Sequence, residues 1–259
     1  MRLATFNILN GRSPVDDLVD IDRFAAAVTA LDADVLGLQE VDRHQPRSHL
    51  ADLTAVAAEA MGAVSHRFVA ALSGTPGGFW TPATQDEVPG AASYGIALLS
   101  RYPVRSWHSL RLPRIGFRFP LYLPEQRKVI LADEEPRAAV IAQLDTPTGP
   151  MIVANTHLSF VPGWGQLQLG RIRRHLAWLP DPAIVMGDLN MEAPWPAAIT
   201  GFSSLAAHPT IPRDEPSRQL DHILGRGVED EVVDSRAVRL PLSDHLALVV
   251  DLAAPGDRP

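Results

Sequence analysis

The stretch "PAIVMGDLN", residues 182–190, drives an apolar run, Ala183 to Met186, straight into Asp188 and Asn190. A continuous apolar run this short, opened by proline and closed by a glycine, reads as a strand buried on both faces. In a strand, residues two apart point to the same side, so Asp188 and Asn190 are expected to converge on one small volume at its end.

Other apolar runs end in the same way. "RLATFNI" reads as a strand carrying Asn7, "ADVLGLQE" as a buried strand closing on Glu40, and "GPMIVANTH" as one closing on His157. "RQLDHILG" supplies Asp221, and the turn before the last strand, "LALVVDL", adds Asp244 and His245. One charged residue at a strand end is usually the point where a chain meets water. This many at once point to a shared site.

Between the strands, Ile21, Phe24, Val28 and Leu31 repeat at helical spacing, with Asp20 or Asp22 as the cap. A second helix is expected from Leu50 to Met61, stopped by Gly62, and a third with Leu169, Ile172, Leu176 and Leu179 on one face. "SYGIALLS", "RAAVIAQLD" and "EVVDSRAV" read as further strands, and residues 73–93, dense in Gly, Pro, Ser and Thr, as a long loop. Strands outnumber helices, and some are continuously apolar while others alternate. The expected fold is a layered α/β sandwich, two sheets inside and helices outside, formed by one domain over residues 1–252 with a frayed tail at 253–259.

The composition limits the chemistry. The chain has 259 residues, 46% of them hydrophobic, enough for a substantial core. It has no cysteine, which removes disulfides, thiolate metal sites and thiol nucleophiles. The formal charge of −7 argues against a generic nucleic-acid coat, although Glu40, Asp188, Asp221 and Asp244 in one site would account for part of it by neutralising a cation. No run is long and apolar enough to span a membrane, and no basic, then apolar leader opens the chain, so a cytoplasmic location is expected.

Carboxylates, amides and imidazoles without thiols select a hard cation, Mg²⁺ before Mn²⁺ or Ca²⁺. Glu40 is the natural direct ligand, because a carboxylate ending a buried strand needs a cation or donor to stay ionised. Asp188 can take a proton from an attacking water while the Asn190 amide holds that water or a phosphate oxygen. Asp221 is paired with His245, whose tautomer and basicity a carboxylate would set.

"TFNILN", "GLQEVD", "YGIALLSR", "NTHL", "GDLN", "LDHIL" and "LSDHLAL" stand in the order found in the endonuclease/exonuclease/phosphatase superfamily, which includes deoxyribonuclease I. The chain resembles that family from residue 2 to residue 252. The resemblance implies a four-layered α/β/β/α sandwich and metal-dependent hydrolysis of a phosphoester. It implies that Asn7 and Glu40 form the metal-site pair, with Asp188 beside them and Asp244 as the second metal-associated acid. It also implies that Asp188 and Asn190 activate and orient water, and that His157 and His245, the latter steered by Asp221, flank the scissile phosphate. Arg137 sits where family members often place a phosphate-binding arginine; an arginine opening a strand is as often simply solvated. In one respect the chain departs from deoxyribonuclease I: its strand "SYGIALLS" contains no acid to orient His157. Either Asp86 or Glu87 reaches in from the loop, or His157 stays neutral and acts as a hydrogen-bond donor.

Residues 101–128 hold six arginines and a lysine against the single acid Glu125, interleaved with Trp107, His108, Phe117, Phe119 and Tyr122. This composition suits a nucleic-acid backbone, an anionic membrane surface, or a hairpin whose arginines pair with the acids at 133–135. The expected activity is a nuclease-like phosphodiesterase. The alternatives are a phosphomonoesterase, a sphingomyelinase-like enzyme acting on a phospholipid head group, and a non-catalytic module binding a polyanion or membrane.

Overall fold

The computed structural model of the protein describes residues 1–84, 90–116, 118–123 and 128–253. In chain order these form β1 (Arg2–Asn7), α1 (Ile21–Leu31), β2 (Val35–Arg43), α2 (Leu53–Met61), β3 (Ser65–Gly74), β4 (Trp80–Pro82), β5 (Ser93–Ser100) and β6 (Val104–Arg111). There follow β7 (Phe119–Leu123), β8 (Lys128–Ala132), β9 (Ala138–Thr146), β10 (Gly149–His157), α3 (Trp164–Leu176), β11 (Ala183–Asp188) and α4 (Trp195–Thr200). The last strands are β12 (Ser203–Ser204), β13 (Asp221–Arg226), β14 (Val232–Val238) and β15 (Ala247–Leu252).

Among the described residues the strands build two mixed sheets, ordered β14-β15-β1-β2-β5-β3-β4 and β12-β13-β11-β10-β9-β6, with a separate β7-β8 hairpin. The pairs β1–β2 and β10–β11 are parallel. Alternation in β1 shows how the layers arise: Leu3 faces the core between the sheets, while Ala4 and Phe6 face α1 and α2. In β11, Ile184 and Met186 enter the intersheet core, and Ala183 and Val185 pack beneath α3. Both faces of β11 are therefore covered, which is why its run is apolar throughout. The layers are helices, sheet, sheet, helices, as expected from the sequence.

The helices follow their sequence signals closely. Asp20 caps α1, accepting from the Arg23 N–H at 2.9 Å, and Phe24, Val28 and Leu31 are buried. The second helix starts three residues later than expected: Asp52 caps it through Thr54 N–H at 3.0 Å, and Leu50 stays exposed. Leu179 lies beyond the end of α3 but packs on the same cluster. The proposed 73–93 loop is partly regular, since β3 runs into it and β4 pairs with β3 from Leu72 to Gly74. Neither β3 nor the short α4 was marked by periodicity.

Residues 101–128 do not form one basic surface. Arg101 binds Asp32 at 2.9 Å and Arg105 lies on Asp145, while Trp107 packs on the intersheet core. Among the described residues Arg114 alone reaches the 133–135 acids, 3.7 Å from Asp133, while Phe117, Glu125 and Arg127 lie outside the described residues. Of the expected tail, Ala253 donates to the Glu231 carbonyl at 2.8 Å, and residues 254–259 lie outside the described residues. No described helix is long and apolar enough to cross a membrane.

The two sheets are joined by a buried amide bridge. Asn155 of β10 donates across the interface to the carbonyls of Leu38 (3.0 Å) and Ala97 (2.8 Å). Its own oxygen accepts from Gln39 Nε2 at 2.7 Å, and Gln39 also donates to Thr5 Oγ1. Gly37 makes the room, because a Cβ there would lie 2.8 Å from Asn155 Oδ1. Replacing Asn155→Ala removes three hydrogen bonds and leaves the Gln39 amide with only its bond to Thr5. The expected loss is about 3 kcal/mol, seen as a lower urea midpoint at unchanged slope. An unaltered midpoint would show that the bridge does not hold the sheets.

Candidate active site

The polar strand ends meet at one edge of the sandwich. Asn7 closes β1 and Glu40 lies in β2 of the first sheet; His157 closes β10 and Asp188 closes β11 of the second. Parallel pairing sets His157 opposite Asp188. Asp221 opens β13 rather than closing a strand, and the antiparallel pairing of β13 with β11 brings it opposite Asp188 as well. Gly187 permits this closeness: its φ is +140°, and a Cβ would sit 1.9 Å from the Thr156 carbonyl oxygen.

Asn7 Nδ2 donates to Asp188 Oδ2 at 3.0 Å and to Glu40 Oε1 at 3.1 Å, joining the carboxylates of the two sheets through one amide. Asp188 Oδ2 also lies 3.5 Å from His157 Nε2 and 3.9 Å from His245 Nε2. His245 Nδ1 donates to Asp221 Oδ2 at 2.8 Å, and all these side chains except the half-buried Glu40 are buried. Ser243 holds the last loop in place, its hydroxyl donating to the Asn7 carbonyl at 2.6 Å and accepting from His245 N–H at 3.1 Å.

Two residues reach the site by backbone conformations that strand periodicity does not describe. Glu40 has φ +57° and sits where the pairing of β2 with β5 shifts register, a bulge that turns its carboxylate toward Asn7. Asn190 has φ +49° and lies beyond the end of β11. The rule that residues two apart share a side therefore fails there. Instead the Asn190 N–H donates to Asp188 Oδ1 at 3.0 Å, and its side chain donates to the Leu158 carbonyl at 2.9 Å. His222 turns away from the site, donating Nε2–H to the Met191 carbonyl at 2.7 Å.

Electrostatics separates the roles. Burial, reinforced by Asp221, pushes the Asp188 carboxyl up to about 7, against the pull of His245 and Asn7. Burial alone would lower His245, but Asp221, hydrogen-bonded to it, and Asp188 and Asp244 outweigh that and raise it to about 10. Burial, with the positive charges of Arg137 and His245, holds His157 well below the usual imidazole range, so it is neutral. Burial also raises Glu40, with Asp244 adding to the effect and Asn7 and Arg137 opposing it. Asp86 and Glu87, the candidates to orient His157, lie outside the described residues.

Arg137 is buried rather than solvated, and its Nε finds no hydrogen-bond partner among the described residues. A buried guanidinium N–H left unpaired next to an acid cluster suits an anionic oxygen from outside the protein. The donor set suits a hard divalent cation: carboxylates crowd together with raised pKa values, and Asp221 Oδ1 is buried without a partner. Ligand atoms of Asp188, Asp221 and His245 lie within 4.8 Å of one another. Because Asp221 and His245 are already bonded to each other, the oxygens of Glu40 and Asp188 remain the better donors. Sequence reading missed Gln39, Asn155, Ser243 and Tyr94; the polar pair in "GLQE" and "ANTH", interrupting apolar runs, was the available signal for the first two. Tyr94 is a buried phenol whose pKa burial raises, with Glu40 adding to it.

A two-sheet sandwich presenting acids, amides and imidazoles from strand ends of both sheets defines a phosphoester hydrolase. Residues 4–245 match the profile of the Endonuclease/Exonuclease/phosphatase family, and the chain belongs to that family. No curated protein matches it. Among solved structures it is similar to an endonuclease/exonuclease/phosphatase from Beutenbergia cavernae, at 26% identity and TM-score 0.69, covering 97% of this chain and 71% of that one. It shares its fold with a mannosyl-6-phosphatase from Bacteroides thetaiotaomicron (15% identity, TM-score 0.63, 98% and 100% covered). The same holds for sphingomyelinase C from Streptomyces griseocarneus (14%, TM-score 0.61, 96% and 98%).

The His245–Asp221 pair predicts a specific pH dependence. A histidine raised in the folded state from its ordinary value near 6.5 stabilises the fold fully below that pH, and loses the contribution as pH rises through about 10. Asp188, raised toward 7, acts in a lower window. In chelator, the melting temperature of wild type should fall between pH 7 and 10, and that of Asp221→Asn should fall less. Parallel curves would remove Asp221 as the source of the shift.

Proposed function

We propose that the protein is a Mg²⁺-dependent phosphodiesterase in which Asp188 accepts a proton from the attacking water. The observation that carries this is the Asp188 carboxyl itself, buried, poised at about 7, and tied through the Asn7 amide to Glu40. A base near the operating pH combines a populated ionised form with real proton affinity. Glu40 would hold the metal, with Asn7, Asp188 and Asp244 around it, and Mg²⁺ there supplies Lewis acidity at the phosphoryl group.

The remaining groups act on the phosphate directly. His245, doubly protonated and steered by Asp221, presents its Nε2–H, and neutral His157 presents a second imidazole donor. Arg137 offers its free Nε–H to a phosphoryl oxygen. These donors are fixed before substrate arrives, so charge developing on the phosphoryl oxygens needs little reorganisation. Asn190 keeps Asp188 aimed through its N–H and leaves its amide oxygen to orient the water. Arg137 also lines a depression of about 100 Å³ with Arg111 and Arg114, room that a second esterified group would use.

Asp188→Asn should keep its circular dichroism and lose at least ~10³-fold in turnover of bis(4-nitrophenyl) phosphate with Mg²⁺. Chelator should abolish wild-type turnover. Wild-type rate in folded Asp188→Asn, or chelator-insensitive turnover, would overturn the assignment, and preference for 4-nitrophenyl phosphate would make the protein a monoesterase.

A further inference from the structure

Tyr94 stands at the start of β5, where antiparallel pairing sets it opposite Asp42 of β2 and Leu72 of β3. Ile96, two positions further along, enters the intersheet core, so Tyr94 points to the same side, toward the second sheet. The bulge that carries Glu40 lies alongside, since Val41 pairs with the neighbouring Gly95. From the other sheet comes Arg137, one residue before Ala138 of that same core.

The ring is fixed in place. Tyr94 is 6% exposed, and the Arg47 guanidinium lies 5.6 Å over its ring centroid. Arg47 is held in turn by two hydrogen bonds to the buried Asp42, at 2.7 and 2.8 Å. A cation over the face of a ring leaves the ring edge, and the hydroxyl on it, unobstructed.

The hydroxyl is where the arrangement is incomplete. A buried tyrosine O–H ordinarily finds a partner. This one makes no hydrogen bond among the described residues, and it is not sealed from solvent. Burial raises the phenol well above its ordinary value of 10, Glu40 and Glu135 add to the effect, and Arg137 and Arg47 oppose it. Tyr94 is therefore a protonated donor within electrostatic reach of both the metal-site carboxylate and the unpaired guanidinium. Glu40 already accepts from Asn7 at 3.1 Å. The acceptor left is an oxygen brought in from outside, and an anion lying between a cation on Glu40 and the Arg137 Nε–H presents one.

We propose that Tyr94 is a catalytic residue whose hydroxyl donates to a phosphoryl oxygen of the substrate between Glu40 and Arg137. The catalytic role rests on the phosphodiesterase reading; the contact with phosphate does not require turnover. The phenol keeps its proton throughout, and its hydrogen bond strengthens as charge grows on the phosphoryl oxygen.

The test compares wild type with Tyr94→Phe, which deletes the hydroxyl and keeps the ring beneath Arg47. The control is Tyr102→Phe, whose phenol bonds Asp34 beyond the far end of β5. Calorimetric titration with inorganic phosphate in Mg²⁺ should give binding at least ~5-fold weaker in Tyr94→Phe, the loss of one hydrogen bond to an anion. Turnover of bis(4-nitrophenyl) phosphate should fall roughly 10²-fold, in kcat more than in KM, as when one preorganised donor is removed. The Mg²⁺ concentration for half-maximal turnover should not change, and the control should match wild type in every reading. All three proteins should share one urea midpoint. Phosphate binding by Tyr94→Phe equal to wild type, equal losses in the control, or no phosphate binding by wild type would overturn the proposal. So would a raised Mg²⁺ requirement at unchanged phosphate affinity, which would make the phenol a support for Glu40. Absence of wild-type turnover alongside weakened phosphate binding in Tyr94→Phe would sink the phosphodiesterase reading and uphold the contact.

Discussion

The site depends on how two sheets that touch through apolar side chains are prevented from sliding. Hydrophobic contact is non-directional, and a core of Leu, Val and Ile tolerates shifts that would ruin an active centre. Asn155 removes that freedom. Its amide reaches across to Leu38 and Ala97 on two strands of the other sheet and accepts from Gln39, so both position and direction are fixed. Two residues further along β10 stands His157, and one residue beyond Gln39 in β2 stands Glu40. The bridge thus lies directly beneath the place where the strand ends must meet to within a hydrogen bond.

Given that fixed geometry, the electrostatics follow from crowding. Burial of Glu40 and Asp188 beside further acids disfavours their charged forms unless something compensates. Part of the compensation is internal, through protonated His245 and the Asn7 amide, and the rest is what the proposed cation and Arg137 would supply. The result is a carboxyl at about 7 beside an imidazole at about 10 and another held neutral. Environments that push like groups apart in pKa are how one small site acquires both proton acceptor and donors. The backbone contributes as well: Glu40 and Asn190 hold left-handed conformations that a surrounding scaffold must enforce.

The charge distribution outside the centre has the same logic in reverse. Where arginines face carboxylates they contribute to local structure and little else, as exposed pairs do. Where Arg43, Arg67 and Arg114 lie over Phe68, Trp107 and Trp80 the rings hold them through their faces, and Arg43 and Arg114 reach an acid as well.

The sequence by itself determined the layers and the chemical inventory. Apolar runs with polar ends announced the strands, helical spacing announced α1 and α3, and the residues Asn7, Glu40, His157, Asp188, Asp221, Asp244 and His245 could be picked out before any fold was known. These features are legible because burial and periodicity are local properties. Other features were decided only by tertiary structure. Asn190 donates its backbone N–H to Asp188 because the chain turns after that residue; Glu40 points inward because of a bulge; Arg137 is buried although nothing in its local sequence marks it. The basic stretch 101–128 divided between ion pairs, as at Arg101 and Arg105, and ring contacts, as at Trp107 beneath Arg67 and Arg114 over Trp80, according to which distant segments it met. Such outcomes depend on contacts between segments far apart in the chain, and no local pattern encodes the partner that a side chain will find.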